Sequence, residues 1–169
     1  MSETNNKNPG SRLLKVLYVT TAVTLLLIWG QSCISKSEST VSSDIVVEMI
    51  KPIDELEQGY RSENGWTYVE LSTVVRKLAH VVEYAALSFQ LMCILLLKKK
   101  GSIKVSFNCL FGIVLVALTD ETIQLFSDRG SEIRDVWIDM AGAVLGVAVA
   151  HAIGYLVRRK LKKADRDKT

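Results

Sequence analysis

Four long apolar runs dominate this chain: Leu13 to Ile28, Leu78 to Leu97, Ile103 to about Leu118, and Val136 to Val157. A hydrocarbon core about 30 Å thick is crossed by roughly 20 apolar residues in a helix, and roughly 17 suffice. The second and fourth runs meet that length outright, and the first meets it narrowly. The third meets it only if its helix continues through Asp120 and Glu121 towards Phe126. Glycine and proline are scarce inside the runs, and no apolar–polar alternation suggests a barrel. The expected fold is therefore all-α: a bundle of four transmembrane helices, with a long outer loop of about residues 31–71 between the first two.

The first run has a rival reading, because Lys7, Arg12 and Lys15 precede it as the basic region of a signal peptide would. "IWGQSC" also sets Cys33 after small residues, in the manner of a lipoprotein signal. Gly30, however, stands where such signals carry leucine, so a retained helix is expected. The other two cysteines, Cys93 and Cys109, lie in or beside apolar runs. They imply packing rather than a disulfide framework.

Lysine and arginine near helix ends mark the cytoplasmic side of a membrane protein. Lys7, Arg12 and Lys15 precede the first run, Lys98, Lys99, Lys100 and Lys104 separate the second and third, and Arg158, Arg159, Lys160, Lys162 and Lys163 follow the fourth. With four spans these regions share one side. The chain then divides into a cytoplasmic tail (1–12), a four-helix membrane domain (13–157) and a basic cytoplasmic tail (158–169), in a multi-pass membrane protein. Within the outer loop, Ile45, Val46, Met49, Ile50 and Ile53 recur at helical spacing. They suggest either a short surface helix or a cover for the bundle top. Trp29, Trp66 and Trp137 fall near the outer boundaries as an aromatic belt, and His151 near the inner end of the last run reads as interfacial.

The segment "DETIQLFSDRGSEIRDVWID" breaks this pattern. It carries Asp120, Glu121, Asp128, Arg129, Glu132, Arg134, Asp135 and Asp139 between two apolar runs. In "RKLAHVVEYAAL", Arg76, His80, Glu83, Tyr84 and Leu87 form one helical stripe. Asp120 and Gln124 share a face, as do Asp135, Asp139, Gly142 and Gly146. Each ionisable group at a helix centre costs about 2.5 to 3.5 kcal/mol, less near the interface. At half that figure, roughly six of them left unpaired would cost on the order of 8 to 10 kcal/mol, close to the whole stability of a small domain. They must pair with one another, stay wet, or hold a ligand. Gly142 and Gly146 form a small-xxx-small pattern, which reads as close helix packing beneath the site.

Taken in order, "RKLAHVVEYAAL", "DETIQLF" and "RGSEIRDVWIDMAGAVLG" closely resemble the VanZ-like family of bacterial membrane proteins. "IWGQSCISKSESTVSS" resembles the serine- and glutamine-containing stretch after that family's first helix. The resemblance covers about residues 15 to 155. It implies a four-helix integral membrane protein of a family named for low-level resistance to the glycopeptide teicoplanin. The family's characteristic polar positions correspond to Arg76, Lys77, His80, Tyr84, Asp120, Glu121, Gln124, Arg129, Asp135, Asp139 and Gly142.

Two functions fit these residues ahead of a third, a proton-coupled transporter, which four short helices without a visible repeat disfavour. In the first, Arg76, Lys77, Tyr84, Gln124, Arg129, Arg134, Asp135 and Asp139 bind an anionic cell-envelope or lipid-linked ligand at the outer leaflet. The bases would meet phosphate or carboxylate, helped by the N-termini of the second and fourth helices. In the second, the chain is an intramembrane enzyme acting on a lipid-linked substrate. His80 would then serve as general acid or base with Glu83, Asp120 and Glu121, and Arg129 would steady developing charge. No cofactor is required by either. A divalent cation held by His80 with Glu83, Asp120, Glu121, Asp135 or Asp139 is the weaker variant, since the arginines already compensate the acids. The expected partners are membrane lipids or a lipid-linked envelope precursor, with no nucleic acid and with oligomeric state left open.

Overall fold

The computed structural model describes residues 9–33, 68–98, 102–127 and 133–167, and every element among them is helical. They form α1 (Pro9–Ser32), α2 (Tyr68–Leu97), α3 (Ile103–Phe126) and α4 (Ile133–Arg166). Each helix contains a stretch long and apolar enough to cross a membrane: Gly10–Ser32, Arg76–Leu97, Ile103–Phe126 and Ile133–Arg166. The four-helix expectation holds, and α3 does run through Asp120 and Glu121 to Phe126. The proposed surface helix around Ile45–Ile53, together with Trp66, Arg129 and the other residues of the two polar connections, lies outside the described residues.

Residue size is sorted as a lipid-facing bundle requires. Val19, Leu26, Val82, Phe107, Phe111, Val144 and Leu145 point outwards with half or more of their surface exposed. Two clusters fill the interior. Ile28 of α1, Tyr84 and Leu87 of α2, Ile113 and Ala117 of α3 and Ala143 of α4 pack together. A second cluster joins Met92, Cys109, Val147 and Ala150. Lipid is as apolar as these side chains, so close contact rather than water exclusion must hold the helices together.

The most extensive contact is between α2 and α4, and the glycines explain it. A Cβ on Gly142 would strike the carbonyl oxygen of Val81, and one on Gly146 would strike the carbonyl oxygen of Ala85 and the Ser88 hydroxyl. Backbone therefore lies directly on backbone, as the spacing of the two glycines predicts. The cysteines are all free, with Cys109 buried in the second cluster and Cys33 exposed.

α1 contributes to this core rather than leaning on it. Ile28 and Ser32 are both fully buried, and Thr24 donates to Gln90 of α2 at 3.3 Å. The helix also ends one turn beyond its apolar run. At the other end of the bundle the Lys98 ammonium sits 5.1 Å from the centre of the Tyr18 ring, and Ser106 and His151 Nε2 share a hydrogen bond of 2.8 Å. His151, which the sequence suggests is simply interfacial, thus ties α4 to α3.

Candidate functional site

The helices run alternately up and down, so the end of α1, the middle of α2, the end of α3 and the start of α4 meet. Contacts between residues distant in the chain fix this end. The Ser32 hydroxyl donates to Asp120 Oδ1 at 2.5 Å, and Gln124 donates to Asp120 Oδ2 at 3.0 Å and approaches the Ser32 oxygen at 3.5 Å. Gln31 donates to Glu83 at 2.8 Å. Lys77 pairs with Asp135 at 2.6 Å across α2 and α4.

The polar stripes face inwards as their spacing predicts. On α2, Arg76, His80 and Glu83 are half-buried, and Tyr84 and Leu87 are buried. On α3, Asp120, Glu121 and Gln124 are all buried. On α4, Asp135 is half-buried and Asp139, Gly142 and Gly146 are buried. Arg134 is exposed, at the first turn of α4.

The site therefore has two levels. Arg76, Lys77, Arg134 and Asp135 form a rim rich in positive charge. Beneath it lies a floor of His80, Tyr84, Asp120, Glu121, Gln124 and Asp139, with Ser32 from α1. His80 Nδ1 lies 3.8 Å from Asp139 Oδ1, and donor atoms of His80, Asp120 and Asp139 all fall within 4.8 Å of one another. The His80 and Tyr84 rings stack with centroids 6.5 Å apart. Tyr84 is 0% and Asp139 1% exposed, yet the Tyr84 hydroxyl and both Asp139 oxygens lack a hydrogen-bond partner among the described residues.

Three features differ from the sequence reading. Asp139 joins Asp120 beside His80, while Glu83 accepts from Gln31. α2 starts at Tyr68, twelve residues before His80, so at 1.5 Å per residue its N-terminus lies about 18 Å from that ring. Its dipole acts within the first turn and does not reach the site. Only α4 has its N-terminus nearby, since Ile133 precedes Asp139 by six residues, or about 9 Å. Finally, Ser32 and Gln31 belong to the constellation. Their sequence signals are the resemblance of "IWGQSCISKSESTVSS" to the family's serine- and glutamine-containing stretch and, for Ser32, a place four residues after Ile28 on the same helical face.

These features define a polytopic membrane protein whose four helices enclose a polar, carboxylate-rich site at one end. The chain belongs to the VanZ/LLP1 family, whose model matches residues 15–155. No curated protein and no solved structure matches the chain.

Proposed function

We propose that this end of the bundle binds an anionic cell-envelope or lipid-linked ligand at the outer leaflet. The observation that carries the reading is the pair of sealed polar groups, the Tyr84 hydroxyl and the Asp139 carboxylate, left without hydrogen bonds among the described residues beneath a basic rim. A buried polar group without a partner costs about 1–3 kcal/mol. Several such groups in one place mark a surface built to meet something else.

The rim supplies the charge preference. Arg76 and Arg134 present planar donors suited to phosphate or carboxylate, and Arg129 belongs to the connection between α3 and α4. The polar end lies opposite Lys98, Lys104 and the basic end of α4, and the positive-inside tendency supports an outer position for it, with both termini cytoplasmic. A ligand held there links the family's association with teicoplanin to masking or alteration of an envelope component.

Native mass spectrometry of the purified protein tests this reading. Expected is a retained phospholipid or polyprenyl phosphate, with occupancy falling when Arg76 and Arg134 are both changed to Gln. Protein free of such lipid across several detergents overturns the proposal.

The His80–Asp139 approach favours a second reading, an intramembrane enzyme in which His80 is the acid or base and Asp139 orients it. Glu83, Asp120 and Glu121 would then shape the field around the imidazole. Under this reading the retained lipid is a substrate or its cleaved product, and the same spectrum distinguishes the two by mass.

A further inference from the structure

Asp139 poses a charge problem that the described fold leaves open. Its carboxylate is 1% exposed and lies in the field of four other carboxylates, Asp120, Glu121, Asp135 and Glu83. The Tyr84 hydroxyl, also sealed, lies in the field of Asp120 and Asp139. Two carboxylates held together at low dielectric repel strongly unless a positive charge joins them.

We propose that His80, Asp120 and Asp139 bind one divalent cation of the manganese and magnesium class. The three residues come from three helices, α2, α3 and α4, and their donor atoms converge within 4.8 Å. Opposite ligands on an octahedral ion with bonds of roughly 2.1 Å stand about 4.2 Å apart, so small side-chain adjustments close the set. A mixed imidazole and carboxylate set suits manganese, and carboxylates with water suit magnesium. A dication joining Asp120 and Asp139 would offset the repulsion between the two carboxylates.

The surroundings support the role. Asp120 receives Ser32 on one oxygen and Gln124 on the other. Such outer hydrogen bonds orient a ligating carboxylate. The Tyr84 hydroxyl, buried and without a partner among the described residues, is a donor available to a metal-bound water. Three protein ligands leave about three positions of a six-coordinate ion for water or for ligand oxygens. The proposal stands apart from the anionic-ligand reading, because it concerns the protein and the ion alone.

The test titrates the purified full chain in detergent with manganese and follows the ion by electron paramagnetic resonance. One bound ion per chain is expected, with nitrogen modulation in the pulsed spectrum from a coordinated imidazole. The chain has only two histidines, so the source of that signal can be assigned. His80→Gln should abolish it, whereas His151→Gln should keep it, because His151 binds Ser106 at the other end of the bundle. Asp139→Asn should weaken binding by roughly tenfold or more. Absence of a stoichiometric site in the unaltered protein, survival of the nitrogen signal in His80→Gln, or unchanged affinity in a folded Asp139→Asn overturns the proposal. Should Asp139→Asn fail to fold, the first two measurements still decide. A bound ion in protein that retains no lipid would separate this inference from the ligand reading.

Discussion

Ser32 shows how much can rest on one small side chain. Its hydroxyl is fully buried and donates to a buried carboxylate 88 residues further along the chain. Ser32→Ala removes a charge-assisted bond and leaves an Asp120 oxygen short of a donor, at a cost of about 1–3 kcal/mol. The apparent Tm in detergent should therefore fall by several degrees, whereas Gln31→Ala, which breaks an exposed contact with Glu83, should leave it nearly unchanged. Equal effects from the two variants would contradict this ranking. At this scale the acids were readable from the sequence, because a carboxylate beside an apolar run has few places to go. Ser32 was marked only as one of several polar residues in a stretch that resembles the family's, and its distant partner is what singles it out. Asp139 was readable as a site residue, but its pairing with His80 depends on how α2 and α4 cross, which no local spacing encodes.

Among the elements, α2 and α4 determine the geometry of the site. Gly142 and Gly146 let their backbones touch, and this contact holds His80 opposite Asp139. Gly146→Ala would press a methyl group onto the Ala85 carbonyl and the Ser88 hydroxyl, where overpacking costs about 1–3 kcal/mol. Gly112→Ala is the matched control, since nothing lies within 4 Å of a Cβ there. Alanine also favours helix over glycine by roughly 0.5–1 kcal/mol. Thermal unfolding in detergent should show Gly146→Ala destabilised and Gly112→Ala unchanged or slightly stabilised. The small-xxx-small spacing made this contact legible in advance. The start of α2 was less legible, because its polar first turns, from Tyr68, carry no apolar signal although the helix is continuous. That extension is why the dipole of α2 is removed from the site.

For the molecule as a whole, the apolar runs dictated four helices and an alternating course, because each run must cross the bilayer and return. The side of the membrane on which the polar end lies follows from the distribution of lysine and arginine. Cys33, exposed and one residue beyond α1, reports that side directly. In a variant lacking Cys93 and Cys109, a membrane-impermeant maleimide added to intact cells should label Cys33. Labelling only after the cells are opened would invert the topology and remove the outer-leaflet ligand.

The length of α4 has a mechanical consequence. Its 34 residues extend about 51 Å, whereas the hydrocarbon layer is about 30 Å thick. The segment from Arg158 to Arg166 alone adds roughly 12 Å, and its cationic side chains keep it among headgroups or in water. The same rod that carries Asp139 at one tip thus stands clear of the bilayer at the other. Any tilt of α4 that accompanies events around Asp139 would swing this protruding spar, so a dye attached near its tip would register the motion as a change in distance from the lipid surface.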